Sequence, residues 1–285
     1  MTEKMLRSVL YVPASNEKAL AKLPALDCDA VIIDLEDAVH PDARDAARET
    51  LRAAAKGWGD LSMPVGVRIN PLTSPWGTED LMAALAIRPQ VIVLPKVEAP
   101  QDIIQLSEAF NEFDLPQTPQ IWAMIETPIG ILNAPAIAEL GKHKSAHLAA
   151  FIAGTNDLMK ETGVRSGEAL LPWLMQIVLA ARAGSLQVLD GVHNDFRDEA
   201  GFEAACHLAR ARGFDGKTLI HPAQIGPANA IFAPGNDDIA EAQAIIKAFA
   251  LPENASKGVI SVNGKMVERL HLAQAQALLD GIKQS

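Results

Sequence analysis

Two acidic residues follow apolar runs of strand length. Glu126 comes directly after QIWAMI, and Asp157 comes shortly after LAAFIAG. The ends of neighbouring parallel strands lie about 5 Å apart, and two carboxylates that close repel unless a cation lies between them. Mg²⁺ takes one or two carboxylates together with waters and substrate oxygens. The pair therefore predicts a hard-cation site, and the alternatives are a helix N-cap for Asp157 and a rim salt bridge for Glu126.

A single arginine ends another apolar run. Arg68 closes the segment VGVR, and a guanidinium there offers a planar fork that matches a carboxylate better than a lysine does. The favoured interpretation is a clamp on a substrate carboxylate. The alternative is a structural ion pair with Glu36 or Asp37 from the neighbouring strand, and the two roles are compatible.

Three acids crowd the segment DLED. Strand alternation places Asp34 and Glu36 on one face and Asp37 on the other. Three carboxylates are more than a solvated rim needs. We expect Glu36 and Asp37 to bind metal-bound waters or to hold Arg68, although capping of the following helix accounts for one acid.

Lys96 lies at the end of VIVLPK, the position at which an imine-forming aldolase would carry its nucleophile. Its neighbours are acidic, which favours the protonated amine. The sequence therefore favours a charged lysine that balances Glu126 and the DLED acids over a Schiff base.

These residues belong to a repeating pattern of eight apolar runs separated by helix-length segments. The runs predict strands near 8–14, 30–37, 64–70, 91–98, 120–126, 148–154, 187–193 and 216–221. Continuous apolar runs are typical of strands buried on both faces, and eight β/α units predict a (β/α)8 TIM barrel with its chemistry at the C-terminal ends of the strands. The predicted organisation is a barrel over 1–233 and a C-terminal extension over 234–285. The extension contains a hairpin around Asn-Gly and a helix, and we expect it to pack on its own barrel or on a neighbouring subunit.

The composition excludes several classes of protein. The 285 residues carry a net charge of −10 without a long basic run, which argues against nucleic acid or an anionic membrane as the main partner. No apolar run approaches the length of a membrane span. The two cysteines are not in metal-binding spacing, so we expect buried thiols and a soluble, cytoplasmic protein.

Taken together, the motifs resemble a known family. RSVLYVPA, DLEDAV, VRIN, LPKVE, MIETP, GTNDL and GFDGKTLIHPAQI occur in this order, and the resemblance runs from about residue 6 to 275. The set resembles the citrate lyase β-subunit-like group of the HpcH/HpaI aldolase superfamily, which includes malyl-CoA and citramalyl-CoA lyases. The resemblance implies a (β/α)8 barrel, a homotrimer, and Mg²⁺-dependent cleavage or formation of a carbon–carbon bond between an acyl thioester and a 2-oxo acid.

The resemblance also implies roles for individual residues. It implies that Glu126 and Asp157 are the metal ligands and that Arg68 is the clamp on the oxo-acid carboxylate. It implies that the N-terminal RSVLYVP segment lies where the thioester arm enters, so that Arg7 meets a CoA phosphate. One position departs from the pattern: where the acyl-CoA lyases carry an acid/base Asp in this hairpin, often reaching a neighbouring subunit, GKMVERL has Glu268. Its carboxylate extends one methylene further.

The sequence thus predicts a Mg²⁺-dependent lyase of malyl-, citramalyl- or citryl-CoA. The alternatives are a metal-dependent aldolase of free hydroxy-oxo acids, a malyl-CoA thioesterase, and a citrate lyase β subunit that acts on an acyl carrier protein.

Overall fold

The computed structural model describes residues 5–59 and 61–284. The chain divides into two compact units. One contains Leu6–Phe232, and the other contains Met5 together with the described residues from Ala233 onward.

The first unit is a closed barrel of eight strands in chain order, each paired in parallel with its neighbours. The strands are β1 (Ser8–Pro13), β2 (Ala30–Asp34), β3 (Val65–Arg68), β4 (Val91–Leu94), β5 (Gln120–Ile125), β6 (Leu148–Ala153), β7 (Gln187–Asp190) and β8 (Gly216–Leu219). The predicted (β/α)8 barrel is therefore confirmed.

Helices alternate with the strands. Those of the barrel unit are α1 (Glu17–Leu20), α2 (Arg44–Ala55), α3 (Gly77–Ala86), α4 (Pro100–Phe110), α5 (Pro128–Glu139), α6 (Thr155–Thr162), α7 (Leu171–Ala183), α8 (Glu199–Ala211) and α9 (Ile225–Phe232). Alternate residues along each strand contribute to two apolar layers, one inside the barrel and one between the strands and the helices. Val9, Ile32 and Met124 belong to the cluster inside the barrel, whereas Leu10, Val31 and Ile33 pack outward against the helices. Burial on both faces explains why the strand segments are continuously apolar.

The strands end one to four residues earlier than their apolar runs predict, and local backbone chemistry explains two of these ends. After β2, the Asp34 carboxylate accepts hydrogen bonds from the backbone N–H groups of Glu36 and Ala38 at 2.9 and 3.0 Å, which turns the chain. After β4, Lys96 has φ +52°, a left-handed conformation that cannot continue a ladder. The polar groups of DLED and LPK therefore lie in tight turns at the barrel mouth.

The second unit contains α10 (Asn236–Phe249), β9 (Val259–Val262), β10 (Lys265–Glu268) and α11 (Arg269–Gln284). The two strands form an antiparallel hairpin. Asn263 and Gly264 at its turn both have positive φ, +51° and +79°, as a type I′ turn requires, so the Asn-Gly prediction is confirmed. Phe249, Ile260 and Val267 contribute to a separate apolar cluster.

Among the described residues, no helix combines the length and the apolar character that a bilayer crossing requires. Cys28 and Cys206 are both buried, as the sequence predicts, and neither forms a disulfide among the described residues.

A buried ion pair fixes the chain just beyond β3. Asp80 of α3 is fully buried and accepts a hydrogen bond from Arg48 Nη1 of α2 at 2.8 Å. The other Asp80 oxygen accepts from Asn70, both from its backbone N–H at 3.0 Å and from its side-chain amide at 2.6 Å. Asn70 also donates to the carbonyl of Leu35 at 3.0 Å. This network joins the turns that follow β2 and β3, which carry the site residues.

We predict that Asp80→Ala lowers the free energy of unfolding by about 3 kcal/mol or more, because it removes the buried partner of Arg48 and leaves this charge only the exposed carboxylates of Asp45 and Glu79. Glu79 provides the matched control, since it also contacts Arg48, at 2.7 Å, but its side chain is 66% exposed. Glu79→Ala should cost less than about 1 kcal/mol. Urea unfolding of both variants measures the difference, and equal losses would contradict the assigned role of Asp80.

Candidate active site

A cavity of about 340 Å³ opens among the C-terminal ends of the barrel strands. The side chains that matter for chemistry come from β1, β2, β3, the end of β5 and the start of α6, which follows β6. They are Tyr11, Asp34, Arg68, Met124, Glu126 and Asp157. The structure therefore brings together the acid pair and the arginine that the sequence singled out.

Glu126 directly follows β5 and is only 1% exposed. Its Oε1 accepts the backbone N–H of Lys96 at 2.8 Å, whereas its Oε2 is buried without a hydrogen-bond partner among the described residues. Burial, together with the charges of Glu36 and Asp157, raises the pKa of Glu126 to about 8. Among residues 5–59 and 61–284, Glu126 does not form the rim salt bridge that was considered for it. A buried, half-satisfied carboxylate of this kind is a ready cation ligand.

Asp157 lies in the first turn of α6, close to the end of β6. Gly154 is the N-cap of that helix, and Asp157 makes no capping hydrogen bond. Since the part of the chain that the structure describes gives its carboxylate no hydrogen-bond partner, the capping alternative is not realised. Its charge raises the pKa of Glu126, and both carboxylates line the same cavity.

Gly154 has a role that sequence reasoning missed. Its backbone N–H donates to the carbonyl of Ile125 at 3.2 Å, which places it beside Glu126. A Cβ at this position would overlap the Glu126 side chain. The glycine in GTND is the only sequence signal for this close approach.

Arg68 is 8% exposed at the end of β3. Its Nε and Nη2 donate to the two oxygens of Asp34 at 2.7 and 2.5 Å, a bidentate pair. Nη1 lies 3.3 Å from Glu36 and 3.8 Å from Asp37. The main partner of Arg68 is therefore Asp34, a pairing that the sequence analysis did not propose, and the expected ion pairs with Glu36 and Asp37 are also present at longer range. Nη1 is the guanidinium nitrogen that Asp34 does not bind.

Lys96 contacts one acid that follows β5 and another that follows β2. Its left-handed backbone directs its N–H to Glu126, and its Nζ lies 2.7 Å from Glu36 Oε1. Burial lowers the pKa of Lys96, but the hydrogen bond and charge of Glu36 raise it by more, so the pKa lies above its ordinary value. A protonated amine is a poor nucleophile, which favours the charge-balancing role over an imine.

The charges of the site do not balance. Five carboxylates face two cationic side chains, and these groups are Asp34, Glu36, Asp37, Glu126, Asp157, Arg68 and Lys96. A divalent cation at Glu126 and Asp157 would offset this excess, and the orphaned Glu126 Oε2 gives it a ligand. Within the described ranges, no three acids, histidines or cysteines form a metal cluster. Two carboxylates with open positions fit Mg²⁺, which keeps waters and binds substrate oxygens.

Arg7 lies elsewhere. It precedes β1, at the N-terminal end of the barrel, and its Nε and Nη2 donate to the two oxygens of Asp29, both at 2.8 Å. Arg7 therefore lies at the opposite end of the barrel from the acid pair, and the contact with a CoA phosphate that the family resemblance implies stays a prediction.

Glu268 ends β10 in the second unit. Its side chain is partly buried, and its backbone N–H donates to His271 Nδ1 at 2.9 Å. In the hairpin it pairs with Val259. Its assignment as an acid/base group stays a prediction.

Comparisons with known proteins identify the family of the chain. The family model described as HpcH/HpaI aldolase/citrate lyase matches residues 7–222. The chain belongs to this family. The match spans the barrel from just before β1 to the turn after β8, and so includes every cavity residue described above.

Three relatives indicate the range of activities in the family. A (3S)-malyl-CoA thioesterase from Cereibacter sphaeroides is 42% identical over 96% of this chain and 93% of its own length. The mitochondrial citramalyl-CoA lyase of Rattus norvegicus is 33% identical over 96% of this chain and 85% of its own length. The crystal structure of CitE from Mycobacterium tuberculosis in complex with magnesium, acetoacetate and coenzyme A has a TM-score of 0.76. It is 27% identical and covers 97% of both chains.

The raised pKa of Glu126 gives a pH prediction for the metal-free protein. Between the ordinary pKa near 4.5 and the folded value of about 8, the folded protein binds more protons than the unfolded chain. The contribution of Glu126 to the free energy of unfolding is therefore fully present below pH 4.5 and is lost as the pH rises through 8. Glu126→Gln removes the titration, and its amide oxygen still accepts from Lys96. The Tm of Glu126→Gln in EDTA should exceed that of the unmodified protein, by a margin that grows from pH 5 to pH 9.

The same variant tests metal binding without an activity assay. Mg²⁺ should raise the Tm of the unmodified protein and leave that of Glu126→Gln unchanged, because a ligand stabilises only a state that binds it. Glu112→Gln, at an exposed position outside the site, should behave like the unmodified protein in both experiments. An undiminished Mg²⁺ response in Glu126→Gln would rule out Glu126 as a ligand.

Proposed function

We propose that the protein is a Mg²⁺-dependent carbon–carbon lyase that cleaves or forms a hydroxy-carboxyacyl-CoA of the malyl or citramalyl type. The products of cleavage are an acyl thioester and a 2-oxo acid. The observation that carries the proposal is the orphaned carboxylate oxygen of Glu126, which lines the same cavity as Asp157 and Arg68. Relatives named for malyl-CoA and citramalyl-CoA support the substrate class.

Each side chain has a task in this chemistry. Glu126 and Asp157 hold the cation, which when bound supplies positive charge to the oxygens of the substrate. Arg68 presents Nη1 to the carboxylate of the oxo-acid part, while Asp34 fixes its other edge. Glu36 and Asp37 border that arginine, and Lys96 holds Glu36 and Glu126 in place.

Cleavage also needs a proton at carbon. The bond between the hydroxyl-bearing carbon and the thioester α-carbon breaks, its electron pair forms the thioester enolate, and the hydroxyl gives its proton to solvent water as the carbonyl of the oxo acid forms. Glu268 is proposed to protonate the enolate, or to remove the same proton in the direction of condensation.

A specific observation favours a second candidate, (3S)-malyl-CoA hydrolysis. The relatives at 42% identity are named as thioesterases for this substrate. The same cation and arginine would hold the malyl carboxylate, and water would attack the thioester carbonyl instead of the carbon–carbon bond breaking.

Product analysis separates the two. With Mg²⁺ and (3S)-malyl-CoA, the lyase should release glyoxylate and acetyl-CoA, whereas a thioesterase releases malate and free CoA without glyoxylate. We predict glyoxylate, and a loss of about 100-fold or more in kcat for Asp157→Asn or in EDTA. Lys160→Gln, an exposed change one turn along α6, is the control. Malate as the sole product would reassign the activity to hydrolysis.

Glu268 is tested by two substitutions. We predict that Glu268→Gln lowers kcat about 100-fold through loss of the proton donor, while Glu268→Asp retains measurable turnover. The Mg²⁺-dependent rise in Tm should be unaffected in both variants. Normal turnover of Glu268→Gln would remove this residue from the mechanism.

Free acyl-CoA and a 2-oxo acid are the proposed partners, in place of an acyl carrier protein. Competitive inhibition by free CoA would support this choice, and inactivity toward every CoA ester would favour the carrier protein. The homotrimer that the family resemblance implies stays a prediction, which sedimentation of the purified protein checks.

A further inference from the structure

Tyr11 of β1 points into the barrel, where its ring packs against the inner apolar cluster and lines the cavity. Its hydroxyl lies 3.7 Å from Met124 Sδ, its hydrogen-bond partner among the described residues. A thioether sulfur is a weak acceptor. The phenol hydroxyl is therefore a strong donor in the cavity, and the acceptor it has among the described residues is weak.

A second donor converges on the same sulfur. Arg68 Nη1 also lies 3.7 Å from Met124 Sδ, and the Arg68 guanidinium carbon lies 4.9 Å from the centroid of the Tyr11 ring. Nη1 also has ion-pair contacts with Glu36 and Asp37 at 3.3 and 3.8 Å, whereas the sulfur is the acceptor that the structure gives the phenol among the described residues. The phenol therefore leaves hydrogen-bonding capacity unused, which costs free energy in a buried setting. A ligand with two acceptor oxygens would satisfy both donors.

We propose that Tyr11 donates a hydrogen bond to the substrate carboxylate that Arg68 Nη1 binds, so that the phenol and the guanidinium form one carboxylate subsite. This inference rests on the proposed function and adds to it a residue that determines which part of the substrate is held. Burial raises the pKa of Tyr11, in keeping with a hydroxyl that keeps its proton. Because Tyr11 and Arg68 line the cavity that also contains Glu126 and Asp157, we assign the subsite to the oxo-acid part and not to the CoA arm.

The alternative is that Tyr11 serves only packing. The ring fills the space between Met124 and Arg68 and lies within range of a cation–π contact. Tyr11→Phe keeps the ring and this contact and removes only the hydroxyl. A packing role therefore predicts no change in ligand binding for this variant.

The experiment is calorimetric titration of the full chain with glyoxylate and, separately, with acetyl-CoA, both in Mg²⁺. For Tyr11→Phe we expect the Kd for glyoxylate to rise about tenfold or more, as for the loss of a hydrogen bond to a charged group. The Kd for acetyl-CoA and the Mg²⁺-dependent rise in Tm should be unchanged. An unchanged Kd for glyoxylate, or an equal loss for both ligands, would overturn the assignment.

Two further variants separate the hydroxyl from its surroundings. Met124→Leu removes the sulfur but keeps the hydroxyl, so glyoxylate should bind at least as tightly. If it instead weakens binding as much as Tyr11→Phe does, the contact between Tyr11 and Met124 is responsible and the inference is wrong. Arg68→Lys combined with Tyr11→Phe should lose less than the product of the two single effects, because both groups hold one carboxylate; independent effects would count against a shared subsite.

The outcomes also distinguish this inference from the proposed function. If the unmodified protein binds glyoxylate in Mg²⁺ and Tyr11→Phe binds it equally well, the proposed function stands and the role of Tyr11 is refuted. If the unmodified protein binds no 2-oxo acid, both are refuted.

Discussion

The excess of acidic over basic side chains at one end of the barrel governs the rest of the site. Carboxylates from β2, β5 and the start of α6 meet there with one arginine and one lysine to balance them. Burial penalises every unpaired charge, and the protein meets this cost in two ways. Asp34 and Glu36 are paired with cations, whereas Glu126 retains an unpartnered oxygen and a pKa of about 8. The cost left at Glu126 is what a bound cation would remove.

The same charge distribution assigns different tasks to similar residues. Asp34 is fully engaged by the fork of Arg68 and by two backbone N–H groups, so it orients the arginine and has no free oxygen for a metal. Glu126 accepts one backbone hydrogen bond, so it keeps an oxygen for a ligand. The number of hydrogen bonds that each carboxylate accepts, and not its residue type, distinguishes Asp34, which orients Arg68, from Glu126, the proposed metal ligand.

Backbone geometry supports this division. Lys96 adopts φ +52°, an unfavourable conformation for a residue with a side chain, and its N–H thereby reaches Glu126 while its Nζ reaches Glu36. Gly154 leaves the space that the Glu126 side chain occupies. The network of Arg48, Asn70 and Asp80 connects the turn after β3 to helices α2 and α3. The site is therefore held by turns that are themselves tied to the helices, in line with a barrel whose chemistry depends on its strand-end loops.

The sequence by itself determined the barrel, its approximate strands, the hairpin turn at Asn263 and Gly264, and the convergence of Arg68, Glu126 and Asp157. These follow from local patterns, since apolar runs, turn residues and strand ends act over a few neighbouring positions. The tertiary structure decided which charges pair. That Asp34 takes Arg68, that Arg7 is at the opposite end of the barrel with Asp29, and that Tyr11 and Arg68 share the sulfur of Met124 depend on distances between residues 22 to 113 positions apart in the chain. Such contacts are set by the closure and register of the barrel, which residue types alone do not specify.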